Sequence, residues 1–253
     1  MYEYDQSFYH YINQGSVDSA RKLLPSLLDV LPEPVESVLD VGCGAGAWLN
    51  VWKSLGAEVV GLDGNYVSDL DLLIQPGEFI ATDLRRDFAL DRRFGLVQSL
   101  EVAEHLPESS AAIFVACLCR HSDMILFSAA PPGQGGENHI NEQPYDYWRE
   151  KFREQGYSMY DPVRASLAGD AAVKRWYRYN TFLYVSDVCH TNVRTALSAF
   201  RVDDTQPVPD VSPAIYRFRK RLIRMLPSGA STFLAVLKKS LFAISSKLKR
   251  GIG

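Results

Sequence analysis

The sequence holds few of the residues that would commit it to disulfide, metal or membrane chemistry. Its four cysteines, Cys43, Cys117, Cys119 and Cys189, show neither a CxxC pair nor any other ligand spacing. Cys43 lies in a glycine-rich turn, and Cys117 and Cys119 lie in an apolar helical segment, so they read as reduced, structural thiols. There are five histidines, none spaced as metal ligands are, and no metal site is expected. No window reaches the ~18 apolar residues of a membrane span, and no N-terminal apolar run resembles a signal peptide. The expectation is a cytoplasmic protein. Internal repeats and low-complexity blocks are also missing.

Acidic residues are absent from one end only. No Asp or Glu follows Asp210, whereas ten Lys or Arg fall from Arg217 onward. Residues 1–210 carry 17 basic and 30 acidic side chains, so the overall charge of −3 conceals an acidic body and a basic tail. The chain divides accordingly into a helical lead-in (1–35), a body (36–210) and a tail (211–253). At 253 residues, 47% of them hydrophobic, it is long and apolar enough to bury one large core.

Residues 1–15 give no firm element. A helix is predicted over 16–31, capped by Ser16, with Ala20, Leu23, Leu24, Leu27, Leu28 and Leu31 on one face; Pro32 and Pro34 stop it. Strands are predicted at 37–41, 58–62, 79–81, 94–99, 124–129, 157–161 and 179–185. Helices are predicted at 46–55, 107–120 and 145–155. This alternation specifies a doubly wound α/β domain with a mainly parallel seven-stranded sheet. The last two strands lack a clear long helix between them and so form an antiparallel hairpin at one edge.

The stretch Val38-Leu-Asp-Val-Gly-Cys-Gly-Ala-Gly46 runs a buried strand into a glycine turn. Gly42, Gly44 and Gly46 let the backbone turn tightly and approach a ligand closely. Gly42-x-Gly44-x-x-Ala47 also fits a dinucleotide fingerprint, so an NAD-type dehydrogenase is an alternative on this motif alone. Asp40 lies at the end of the first strand, Asp63 after the second, Asp83 after the third and Glu101 after the fourth. In a parallel sheet these four carboxylates share one rim around the glycine turn. Asp63, 17 residues past Gly46, has a spacing that suits a grip on ribose hydroxyls.

With Asp40-Val-Gly-Cys-Gly-Ala-Gly46, Gly61-Leu-Asp63, Thr82-Asp83-Leu84, Ser99-Leu-Glu-Val-Ala-Glu-His-Leu-Pro107, Gly136-Glu-Asn-His-Ile-Asn141 and Trp148, the chain resembles the class I S-adenosylmethionine-dependent methyltransferases. The resemblance covers roughly residues 36–186 and is strongest to the small-molecule and glycan-pathway type. It implies a Rossmann-like fold and S-adenosylmethionine as cofactor. Asp40 and the three glycines would hold the methionine part, Asp63 the ribose and Asp83 the adenine amino group, with Leu84 on the ring. A sulfonium cation suits the acidic rim, whereas a pyrophosphate is repelled by it.

His139, in the loop after the fifth strand, and His105, after the fourth, are the candidates for removing a proton from an acceptor. Asn141, Glu142, Tyr145 and Trp148 are candidate acceptor contacts. For Tyr145 and Trp148, packing against the sheet is the competing explanation. The tail winds into two basic amphipathic helices, 213–226 and 232–250. The first sets Ile215, Phe218, Leu222, Met225 and Leu226 against Arg217, Lys220, Arg221 and Arg224. Such helices lie on anionic membranes. Apolar faces that cover the body or a second subunit are the alternative. The expected reaction is O-methylation of a sugar, glycan or other polar metabolite. An RNA-modifying enzyme that uses the tail is an alternative, disfavoured by the acidic body. A non-catalytic cofactor-binding protein of the same fold is another.

Overall fold

The computed structural model of the protein describes residues 6–225. The first half of that region runs α1 (Gln6–Leu28), β1 (Ser37–Val41), α2 (Ala47–Ser54), β2 (Glu58–Asp63), β3 (Phe79–Ala81), β4 (Leu96–Leu100) and α3 (Ala111–His121). Then follow β5 (Met124–Ser128), α4 (Tyr145–Arg153), β6 (Tyr157–Tyr160), α5 (Arg164–Leu167), α6 (Arg175–Asn180), β7 (Phe182–Ser186), α7 (Thr191–Ala196) and α8 (Ala214–Ile223).

The strands form one sheet in the order β3-β2-β1-β4-β5-β7-β6. β1 pairs in parallel with β2 and β4, β2 with β3, and β4 with β5. β7 runs antiparallel to both β5 and β6. Strand order reverses between β1 and β4, and ligands of such sheets bind in the crevice outside the carboxyl ends at that point.

Alternating side chains divide the core into two layers, as a pleated strand requires. Val38, Leu96, Leu126 and Leu183 face one layer, with Leu23, Leu24 and Leu27 of α1 and Trp48 and Trp52 of α2. Leu39, Val97, Phe127 and Tyr184 face the other, with Phe114 and Leu118 of α3 and Trp148 and Phe152 of α4. The expected α/β architecture is therefore present, with seven strands and an antiparallel edge.

Three local expectations differ. The first helix starts at Gln6, and Ser16 lies buried within it, hydrogen-bonded to the Tyr177 hydroxyl at 3.1 Å. Tertiary contact holds this segment: the Ser19 hydroxyl also accepts the Lys174 amide at 2.9 Å. The late antiparallel pair is not a simple hairpin, because α5 and α6 intervene and the later strand lies inside the earlier one. In the same region Tyr179 and Asn180, expected to begin the last strand, are buried in the short helix α6, and that strand starts at Phe182.

The third difference concerns α8. Lys220, expected on a solvated basic face, is buried and paired with the Asp210 carboxylate. Tyr216 is buried beside it, and Arg219 donates to the Gln134 carbonyl at 2.9 Å. The helix backbone comes so close that a Cβ on Gly133 (φ +84°) would lie 2.1 Å from the Lys220 carbonyl oxygen. Ile215, Phe218, Leu222 and Met225 face outward instead. An apolar face covering the body is thus ruled out for this helix. The second expected tail helix, 232–250, lies outside the described residues. No helix among them is long and apolar enough to cross a membrane.

Arg164 fastens this region together. It is 1% exposed and grips Asp161 Oδ2 through Nε and Nη2 at 3.0 and 2.8 Å. Its Nη1 donates to the carbonyls of Tyr179 and Pro209, and its guanidinium lies 4.0 Å from the centre of the Phe182 ring. Replacing Arg164 with Ala should cost about 3 kcal/mol in urea unfolding, because it removes the charged partner of Asp161 and a donor from each of two carbonyls. Arg164→Lys should recover only part of that loss, since an ammonium cannot reproduce the fork.

Candidate functional site

The glycine turn between β1 and α2 forms because side chains fill the space that Cβ atoms would need. Gly42, Gly44 and Gly46 have φ of 88°, 52° and 83°. A Cβ on Gly42 would lie 2.3 Å from a methyl carbon of Val102, and one on Gly46 would lie 2.9 Å from the Ile74 side chain. Asp63, the last residue of β2, pins the turn from the adjacent strand. Its Oδ2 accepts the Gly44 amide at 2.8 Å, and its Oδ1 accepts the Gly64 amide and the Tyr66 hydroxyl, each at 2.7 Å.

Asp40 faces the same space. It is 3% exposed, and burial pushes its carboxyl up to about 7, with Asp63 adding repulsion. Gln98, its register partner on β4, opposes the rise. That amide is committed elsewhere, for its Oε1 accepts the Trp52 indole at 2.7 Å, and its Nε2 makes no bond of full hydrogen-bond geometry. Burial also raises Asp63, opposed by its three donors. Among the described residues, no cation shifts either carboxylate. A close-approach cradle with two buried, uncompensated carboxylates fits a cationic nucleoside cofactor and disfavours a pyrophosphate.

Asp83 behaves differently. Arg85 binds it through two nitrogens, each at 2.8 Å, and holds its carboxyl down at about 2. Leu84 beside it is buried in the core layer of α3 and α4.

Glu101, directly after β4, adopts φ 59°, a left-handed conformation that side chains seldom take and that concentrates at functional sites. Its amide donates to the Ser128 carbonyl at 3.0 Å. Gln134 donates to its Oε2 at 2.5 Å and Asn180 to its Oε1 at 3.3 Å. Asn180 also donates to Gln134 and accepts the Tyr145 hydroxyl, at 2.7 and 2.8 Å. Burial raises the Glu101 carboxyl against these donors.

The loop between β5 and α4 docks on the segment after β4. The amides of Ile140 and Asn141 both donate to the Glu104 carbonyl, at 2.9 and 3.0 Å. His105 Nδ1 lies 3.1 Å from the Asn138 carbonyl oxygen. The His105 and His139 rings meet edge to face, with centroids 4.9 Å apart. His139 Nδ1 lies 2.8 Å from Glu142 Oε1, and the Glu142 carboxylate also accepts the amides of Gly133 and Gly135, each at 2.7 Å. Burial, then the neighbouring His139, brings His105 down to about 3, so it is a neutral imidazole at physiological pH.

The fold thus brings His105, His139, Asn141 and Glu142 together, with Glu101 and Tyr145 in one hydrogen-bonded network nearby. Asn141 is a strut, 4% exposed and bonded at long range to the Ala103 carbonyl. Trp148 is 2% exposed and packs on Phe127 in the core, and so faces no opening. Gln134, Asn180, Tyr66 and Glu104 were not singled out from sequence. A Glu-Val-Ala-Glu run was visible, but Gln134 and Asn180 lie 33 and 79 residues from Glu101 with no local signal.

A family model described as a methyltransferase domain matches residues 17–161, more than half of the chain. Among solved structures, the chain is similar to the sugar N-methyltransferase KedS8 from Streptoalloteichus, with TM-score 0.54, 14% identity, and coverage of 71% of this chain and 91% of that one. It is similar to CalS10, an amino pentose methyltransferase from Micromonospora echinaspora solved with S-adenosylmethionine bound, with TM-score 0.52, 17% identity, and coverage of 73% and 98%. Magnesium protoporphyrin IX methyltransferase from Synechocystis, also bound to S-adenosylmethionine, has TM-score 0.50, 20% identity, and coverage of 68% and 80%. At these identities the likeness is one of fold. No curated protein matches the chain.

A carboxyl raised by folding from 3.8 to about 7 gives stability that is lost as pH rises through that interval. Asp40→Asn removes this loss. Relative to wild type, the cofactor-free variant should gain stability between pH 5 and pH 8, on the order of 2 kcal/mol. Thermal unfolding at the two pH values measures it, and parallel shifts would show that Asp40 titrates normally.

Proposed function

The chain belongs to the methyltransferase-domain family, and we propose that it transfers the methyl group of S-adenosylmethionine to a hydroxyl of a sugar-like or similarly polar acceptor. When bound, this cofactor supplies a methyl carbon already activated by a sulfonium. The protein's main task is then alignment, which can remove several kcal/mol of barrier. Asp40 and the glycine turn hold the methionine end, and Asp63 takes the ribose. Asp83 and Leu84 take the adenine, and Glu101 with its amide partners closes the rim.

A hydroxyl must also lose its proton. The observation that carries the reading is the His139–Glu142 pair, set beside His105 by the loop that docks on Glu104. A carboxylate accepts Nδ1–H of His139, which leaves the lone pair on Nε2 for the chemistry of the acceptor. Two fold relatives act on sugars, KedS8 at nitrogen and CalS10 on an amino pentose, which supports the sugar-like part of the reading and leaves the hydroxyl to rest on the His139–Glu142 pair.

A cavity of about 340 Å³ adjoins the loop and is lined by Pro131, Tyr145, Asp210, Arg217, Arg221 and Arg224. Its guanidinium groups suit an acceptor that carries an anionic group, such as the phosphate of a lipid-linked glycan. The outward Ile215, Phe218, Leu222 and Met225, flanked by arginines, fit the interface of an anionic membrane where such an acceptor resides.

Replacing His139 with Ala should lower turnover by about 10²-fold or more while leaving S-adenosylmethionine affinity by calorimetry unchanged; undiminished turnover would remove His139 from the chemistry. Phe218→Ser with Leu222→Ser should sharply reduce sedimentation with anionic liposomes and spare cofactor binding. Equal sedimentation of variant and wild type would leave α8 without a membrane role.

A further inference from the structure

We propose that Glu104, His105 and His139 bind one divalent transition-metal ion beside the cofactor cradle. One ligand atom from each residue lies within 4.8 Å of those of the other two. In sequence Glu104 and His105 are adjacent, and His139 lies 34 residues beyond His105. The docked loop assembles them, because its two amides on the Glu104 carbonyl carry His139 to His105.

Glu104 points to the cation most directly. It is 0% exposed, and neither carboxylate oxygen makes a hydrogen bond of full geometry, although its own amide and that of Ala130 approach it. A buried carboxylate met only by two poorly aligned amides is costly, and a protonated one would still leave a buried O–H without a well-placed acceptor. A metal ion satisfies it in a way that the surrounding protein does not.

The two imidazoles are set up to be ligands. His105 faces the Asn138 carbonyl through Nδ1, and His139 faces Glu142 through Nδ1. Both partners only accept, so each Nδ1 carries the proton and each Nε2 carries the lone pair. An acceptor behind each imidazole is the usual support of a metal-bound histidine. Gly136 packs against the His139 ring, where a Cβ would lie 2.0 Å from Nε2, so position 136 admits no side chain without displacing that imidazole. Two imidazoles and a carboxylate favour a borderline ion such as Mn²⁺, Co²⁺ or Zn²⁺ over Ca²⁺. Three protein ligands leave a position for an exogenous oxygen.

The site's purpose rests on the hydroxyl-methylation reading. A coordinated hydroxyl is acidified, so its O–H bond breaks, the proton passes to water, and the oxygen keeps the electron pair. His139 then acts by holding the ion and not by taking the proton.

The test uses the full chain, stripped with a chelator and titrated with MnCl₂ followed by electron paramagnetic resonance, and with CoCl₂ followed by visible absorption. The expected result is one ion per chain. Glu104→Gln and His139→Ala should each weaken uptake by about tenfold or more, and Glu142→Gln by about 10–100-fold. Circular dichroism and S-adenosylmethionine affinity should stay at wild-type values. No saturable uptake by the wild type, or equal uptake by Glu104→Gln, would overturn the proposal. Uptake is read without acceptor or methyl transfer, so its failure is separate from failure of the hydroxyl-methylation reading.

Discussion

One backbone oxygen organises the site. The Glu104 carbonyl accepts two successive amides from the loop after β5, and this pair of hydrogen bonds sets the distance between two segments 36–37 residues apart. Everything contributed by that loop depends on it: His139, the Glu142 carboxylate that grips Gly133 and Gly135, and Gln134 on Glu101. These two bonds are backbone to backbone, and the Glu142 carboxylate adds two more from within the loop. The polar side chains around them remain available for chemistry.

Charge is distributed unevenly along the rim, and the unevenness separates its parts. Asp83 is neutralised by Arg85 and stays ionised at any physiological pH. Asp40 and Asp63 are buried, and among the described residues no cation shifts them. A cationic ligand gains most where the protein has left negative charge uncompensated. The glycine turn and the two buried aspartates therefore form the strongly selective end of the cradle.

Much of this was legible in the sequence because it is local. The strand alternation, the three glycines and the acid after each strand are patterns of period two or of fixed short spacing. They recovered the sheet and the positions of Asp40, Asp63, Asp83 and Glu101. What escaped depends on contacts between distant segments. Histidine spacing at 105 and 139 carries no sign that the two rings touch, and Asn180 has no local mark of its bond to Glu101. Trp148 resembled an acceptor contact because aromatic residues serve both cores and sites, and only burial distinguishes them. The α8 helix was read by amphipathicity, which identifies two faces but not which one meets the body. Asp210 decided that, by drawing Lys220 inward.

The contact between Gly133 and α8 bears on how this chain can diverge. With the helix backbone seated against it, position 133 admits no side chain, and the glycine also donates its amide to Glu142. A homologue that gains a larger residue at 133 must also lose or reseat the helix. The helix and the loop are therefore inherited as one unit, and exchange of C-terminal segments between relatives is productive only when the glycine travels with them.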